Sequence, residues 1–130
     1  MAKTICRILG VVFILVGLAG FALPNLLGMH LSPAHNLIHL VSGAVALYFG
    51  YAASYGAARN FCLVFGIIYL LLAVIGFVAP TTLMNLLQAR NVPDVGMNMT
   101  PDNIVHVVLG VLFLAGGLVR STQTTPLRTS

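Results

Sequence analysis

Two short stretches hold most of the side chains able to do chemistry. One reads Ser32-Pro33-Ala34-His35-Asn36-Leu37-Ile38-His39, the other Thr100-Pro101-Asp102-Asn103-Ile104-Val105-His106. Asn36 and His39 stand three residues apart, as do Asn103 and His106, so each pair shares one face of a helix. Two imidazoles brought together from His39 and His106 would form a ligand set, since histidine is the commonest metal ligand and two facing histidines hold a haem iron. His35 precedes His39 by four residues, the spacing at which two helical imidazoles chelate one ion. Met29, His30, Met97 and Met99 fall in adjoining loops, and thioethers with imidazoles suit copper. One reading is therefore a haem- or copper-binding redox protein, with His39 and His106 as ligands. In it Asn36 and Asn103 supply hydrogen bonds, and His35 is a metal candidate beside His39. Against it, asparagine is what matches between the stretches at 36 and 103, and no second carboxylate or thiolate completes a site. The plainer reading needs no cofactor. Asn and His hydrogen-bond between membrane helices, each bond contributing about 0.6 kcal/mol, and would set helix register while binding nothing.

Other chemistries find less support. There is no Ser/His/Asp arrangement, no pair of carboxylates and no glycine-rich phosphate loop, so no enzyme is expected. Intramembrane ionisable groups point by default to function, which brings proton or solute transport into view. Yet no acid lies mid-span, and His39 lies only about 9 Å along its helix from Pro33 at about 1.5 Å per residue. Asp102 reads as a helix N-terminal charge favoured by the macrodipole. The formal charge of +4 is scattered rather than clustered, which excludes a nucleic-acid stripe. Cys6 and Cys62 lack metal-motif spacing and read as reduced, space-filling thiols.

The elements that must position these residues are membrane helices. Of 130 residues, 59% are hydrophobic and 6% charged, whereas a soluble domain usually carries about 25% charged residues. Lipid is the fitting solvent. From Ile8 to Ala58, Asn60 to Ala89 and Asn103 to Val119 there is no Asp, Glu, Lys or Arg. A spanning helix needs about 20 mainly apolar residues, and proline and glycine mark where the long runs divide. Spans are expected at 5–23, 35–54, 60–79 and 102–120. Ser32 and Thr100 are expected as helix caps ahead of first-turn prolines. Residues 82–89 are expected to form a short interfacial helix.

The chain repeats itself. Cys6, Gly10, Phe13, Gly20-Phe21 and Pro24 meet Cys62, Gly66, Tyr69, Gly76-Phe77 and Pro80 at an offset of 56; Asn36, His39, Gly43, Leu47 and Gly50 meet Asn103, His106, Gly110, Leu114 and Gly117 at 67. The fold expected is all-α: a four-transmembrane-helix bundle of two tandem parallel two-helix repeats, 1–57 and 58–121, with a polar cytoplasmic tail at 122–130 that frays. Met1–Ala22 also looks like a signal peptide, but its recurrence at 61–80 argues for retention. Lys3, Arg7, Arg59, Arg120 and Arg128 fall on one side, and Arg90, Asp94 and Asp102 on the other. Both termini are thus expected in the cytoplasm. Ser42, Ala46, Gly50 and Ser54 form a ladder of small residues for close packing, against this chain or a partner subunit.

Asn36-Leu37-Ile38-His39-Leu40, Phe65-Gly66-Ile67-Ile68-Tyr69 and Asp102-Asn103-Ile104-Val105-His106 resemble a family of small bacterial four-helix membrane proteins that is catalogued as a domain of unknown function, over about Arg7 to Leu118. The resemblance implies a bacterial inner-membrane location and supplies no activity. The leading expectation is a multi-pass structural or accessory protein in the lipid bilayer. It would act through helix–helix contacts, as a homo-oligomer or within a larger membrane complex.

Overall fold

A computed structural model describes residues 1–88, 92 and 98–119. The expectations placed on Arg90, Asp94, Met97, Arg120, Arg128 and the 122–130 tail lie outside the described residues. The helices are α1 (Ala2–Ala22), α2 (Pro33–Tyr51), α3 (Tyr55–Val78), the short α4 (Pro80–Leu86) and α5 (Thr100–Leu118), with a 3-10 turn at Leu26–Gly28. Among the described residues there is no strand.

Local chemistry explains most of the boundaries. Ser32 caps α2, its hydroxyl accepting from the His35 N–H, and Pro33 takes the first turn, where its missing N–H costs nothing. Ser54 caps α3 in the same way by accepting from the Ala57 N–H. Thr100 does not cap α5. It is already inside the helix, and its own N–H donates to the Asn98 side chain at 3.1 Å. The short helix expected at 82–89 begins at Pro80, two residues earlier, because proline fits the first turn of a new helix as readily as it ends an old one.

The long helices pack as two antiparallel pairs, α1 with α2 and α3 with α5. Glycine makes each fit close. A Cβ on Gly10 would stand 2.8 Å from Leu47 and 3.1 Å from the Gly43 carbonyl; one on Gly66 would stand 2.6 Å from Leu114, and one on Gly110 3.1 Å from the Gly66 carbonyl. At one end, Arg7 Nε donates to the Gly50 carbonyl at 2.9 Å and Arg59 Nε to the Gly117 carbonyl at 2.7 Å. These guanidiniums satisfy last-turn carbonyls that no helical N–H reaches. Ala46 and Gly50 of the small-residue ladder are buried within this chain, while Ser54 is exposed.

The two pairs meet along α1 and α3, which run parallel and in register. Cys6 faces Cys62, and Phe13 stacks on Tyr69 with ring centroids 5.6 Å apart. Phe113 of α5 completes an aromatic triangle, 6.1 Å from Phe13 and 6.0 Å from Tyr69.

Polarity is arranged the reverse of a water-soluble protein. Ile8, Leu15, Leu37, Val41, Ile67, Val74 and Val111 are exposed, while His30, Ser32, His35, Asn36, His39, Asp102, Asn103 and His106 are buried. In water such an arrangement would be costly on both counts. Three described helices, Ala2–Ala22, Tyr55–Val78 and Thr100–Leu118, are long and apolar enough to cross a membrane. α2, with 19 residues, is not among them; it carries His35, Asn36, His39 and Ser42.

Candidate functional site

The buried polar groups gather at the end opposite Arg7 and Arg59. The loop after α1 folds back so that the Leu31 N–H donates to the Pro24 carbonyl at 2.9 Å, which carries His30 into the interior. There the Asp102 carboxylate, in the first turn of α5, accepts from the His30 backbone N–H at 2.9 Å through Oδ1. Its Oδ2 lies 2.8 Å from His30 Nδ1. Both side chains are closed to solvent, at 0% and 1% exposure. A buried carboxylate is tolerable only when held in this way, by hydrogen bonds and an ion-pair partner.

His30 is also tied within its own helix pair. Its carbonyl accepts from His35 Nδ1 at 2.7 Å, and since a carbonyl only accepts, Nδ1 of His35 carries the proton. Position 35 is the counterpart of position 102 at the offset of 67. His30 therefore lies between two equivalent helix starts, joined to a histidine in one and an aspartate in the other. The Ser32 hydroxyl adds a further tie by donating to the Leu87 carbonyl beyond α4.

Both asparagines meet glycine. The amide oxygens of Asn36 and Asn103 lie where a Cβ would stand on Gly20 and Gly76 respectively. Neither oxygen has a conventional partner among the described residues, and each rests against the glycine backbone in the manner of a Cα–H···O contact. Asn36 Nδ2 donates locally, to the Leu31 carbonyl at 3.2 Å. Shallow cavities adjoin both contacts. One of about 250 Å³ is lined in part by Gly20, Phe21, Pro24 and Asn36, and one of about 190 Å³ by Gly76, Phe77, Pro80 and Asn103.

His39 and His106 lie one level deeper. His39 is sandwiched between His35, at 4.4 Å between centroids, and Phe13, at 5.5 Å. His106 lies 5.8 Å from Tyr69 and 6.3 Å from His35. Nδ1 of both rings is buried without a hydrogen-bond partner among the described residues. His39 also lines a half-open apolar cavity of about 190 Å³ with Phe13, Met29 and Leu109.

The geometry thus brings His35, His39 and His106 into one cluster of rings, with Asn36 and Asn103 against their glycines. The spacing argument anticipated chelation by His35 and His39. The two rings are stacked, 4.4 Å between centroids. Among the described residues no three His, Cys, Asp or Glu side chains group to hold a metal ion. Sequence reasoning missed the His30–Asp102 pair. The available signal was the replacement of His35 by an acid at its counterpart position, which leaves a buried carboxylate in need of a basic neighbour.

A family model described as Domain of unknown function (DUF4383) matches residues 3–119. No curated protein and no solved structure matches the chain.

Proposed function

Because the chain belongs to the family described as Domain of unknown function (DUF4383), a description that names no activity, we propose a role from the site itself: a structural or accessory membrane protein acting through helix–helix contacts. One observation carries this reading. The hydrogen bonds that cross the histidine end are turned on the chain itself, with Asp102 on His30, His35 on the His30 carbonyl and Ser32 on the Leu87 carbonyl. The outward faces of the long helices are apolar, with Ile8, Leu15, Val41, Val74 and Val111 exposed. No catalysis is part of the proposal.

In this reading α2 also spans the bilayer, giving four spans. Its polar residues face inward, and its outer face of Leu37, Val41, Val45 and Tyr48 is as exposed and apolar as those of the other long helices. Two tandem parallel repeats, 1–57 and 58–121, then form one four-helix bundle. The paired Gly–Leu, Gly–Asn and Arg–carbonyl contacts of α1/α2 and α3/α5 support the duplication. The gathering of Lys3, Arg7 and Arg59 at one end supports, by the positive-inside rule, a reading in which both termini lie in the cytoplasm of a bacterial inner membrane.

Affinity capture from native membranes, with size determination in detergent, tests the role. A homo-oligomer, or a stoichiometric membrane-protein partner lost on substituting exposed α2 residues such as Val41→Asn, is the expected outcome. A monodisperse monomer without partners overturns it. The unpartnered Nδ1 atoms of His39 and His106 favour a second reading, a copper site; haem fits less well, because His35 stacks on His39 where the macrocycle would need a slot. Copper at stoichiometric level in the purified protein, lost in His39→Ala, would replace the first reading with the second.

A further inference from the structure

The thiols at the opposite end take no part in the proposed role, and their placement is specific. Cys6 Sγ and Cys62 Sγ lie 3.5 Å apart, and the chain holds no other cysteine. Each also reaches the first turn of the opposite helix: Cys6 Sγ is 3.9 Å from the Ala58 carbonyl and Cys62 Sγ 3.7 Å from the Ala2 carbonyl. The alanines occupy equivalent positions, four residues before the cysteine of their own helix. Ala2, Cys6, Ala58 and Cys62 are all fully buried. Small side chains let α1 and α3 approach closely here, and the Phe13–Tyr69 stack two turns further on holds the same register. Two sulfurs in van der Waals contact on parallel, in-register helices have only the gap between 3.5 Å and the ~2.05 Å of a disulfide to close.

We propose that Cys6 and Cys62 form a peroxide-sensitive dithiol that closes into a disulfide between α1 and α3. A hydroperoxide is the fitting oxidant class, because hydrogen peroxide is small and uncharged and so suits a pair that bulky reagents cannot touch. In the first step one cysteine sulfur attacks an oxygen of the peroxide. An S–O bond forms, the O–O bond breaks, and the leaving hydroxide departs as water with the thiol proton. In the second step the other sulfur attacks the sulfenic acid. The S–S bond forms, the S–O bond breaks, and a second water leaves. Two thiols lose two electrons in total and one peroxide becomes two waters. The neighbouring thiol resolves the sulfenic acid before it oxidises further. The disulfide would staple the two helix pairs at the end opposite His30 and Asp102.

The test treats full-length protein in membrane vesicles with hydrogen peroxide. Remaining thiols are then labelled with a maleimide–polyethylene glycol after denaturation, and intact mass is measured. The expected result is simultaneous loss of both thiols, a mass lower by two hydrogens, recovery with dithiothreitol, and an upward shift of the unfolding temperature in detergent that dithiothreitol reverses. In C6A and C62A the remaining thiol gives a sulfenic acid trapped by dimedone, with no temperature shift. Both thiols surviving in the wild-type chain, disulfides forming between chains, or sulfinic acid accumulating without a crosslink would each overturn the proposal.

Discussion

The pairs α1/α2 and α3/α5 share a packing plan and differ at one end, and the difference is more informative than the likeness. Glycine sets the helix spacing in both, at Gly10 and Gly43 against Gly66 and Gly110, and both set an asparagine on a glycine. Equivalent positions 35 and 102 diverge into a histidine and an aspartate. Of these two positions only 102 offers His30 a carboxylate. His30, supplied by the first pair alone, takes the Asp102 carboxylate of the second while its carbonyl holds His35. Likeness builds each pair; divergence joins them.

Substitutions at the histidine end separate these contributions. Asp102→Ala leaves His30 buried without its acid, and the expected loss is about 3–5 kcal/mol of unfolding free energy in detergent. His35→Ala, at the equivalent position, removes a bond to a carbonyl and one ring of a stack, at about 1–3 kcal/mol. An equal cost for the two would contradict the asymmetry drawn here.

Next come the glycines. Gly20→Ala and Gly76→Ala should each cost about 1–3 kcal/mol by overpacking against an asparagine amide. Adding Asn36→Ala should relieve the first and leave the second untouched, a coupling that a double-mutant cycle in chemical denaturation would read directly.

His39→Ala and His106→Ala look equivalent from sequence symmetry. In the fold His39 is stacked on both faces and His106 has looser ring neighbours, so His39→Ala should lose more, by about 0.5–1.5 kcal/mol in thermal unfolding. The smallest effect belongs to Arg7→Ala and Arg59→Ala. Each frees one last-turn carbonyl near the surface, and losses of about 0.3–1 kcal/mol that shrink with added salt are expected. A markedly larger value for either would mean that the guanidinium, more than the glycine contacts, holds α1 to α2 or α3 to α5.

Much of this was legible in the sequence. The Cys, Gly-Phe and Asn-x-x-His correspondences give the helix order, the parallel register of α1 and α3 and the shared level of His39 and His106, because each is a local spacing repeated at a fixed offset. The roles of Asn36 and Asn103 were only half visible. Their helix face follows from spacing, but their glycine partners lie on another helix. The His30–Asp102 bond was not legible, since its partners stand 72 residues apart and one sits in a loop whose return path no periodicity describes. Thr100 misled for a simpler reason. A hydroxyl before a proline marks a helix start, but the side chain that satisfied the free N–H was that of Asn98.

The separation of His30 from Asp102 also bears on the order of assembly. Synthesis delivers Gly10 and Gly43 of the first pair well before Asp102. The His30–Asp102 contact that joins the two pairs therefore cannot close until the last helix has been made.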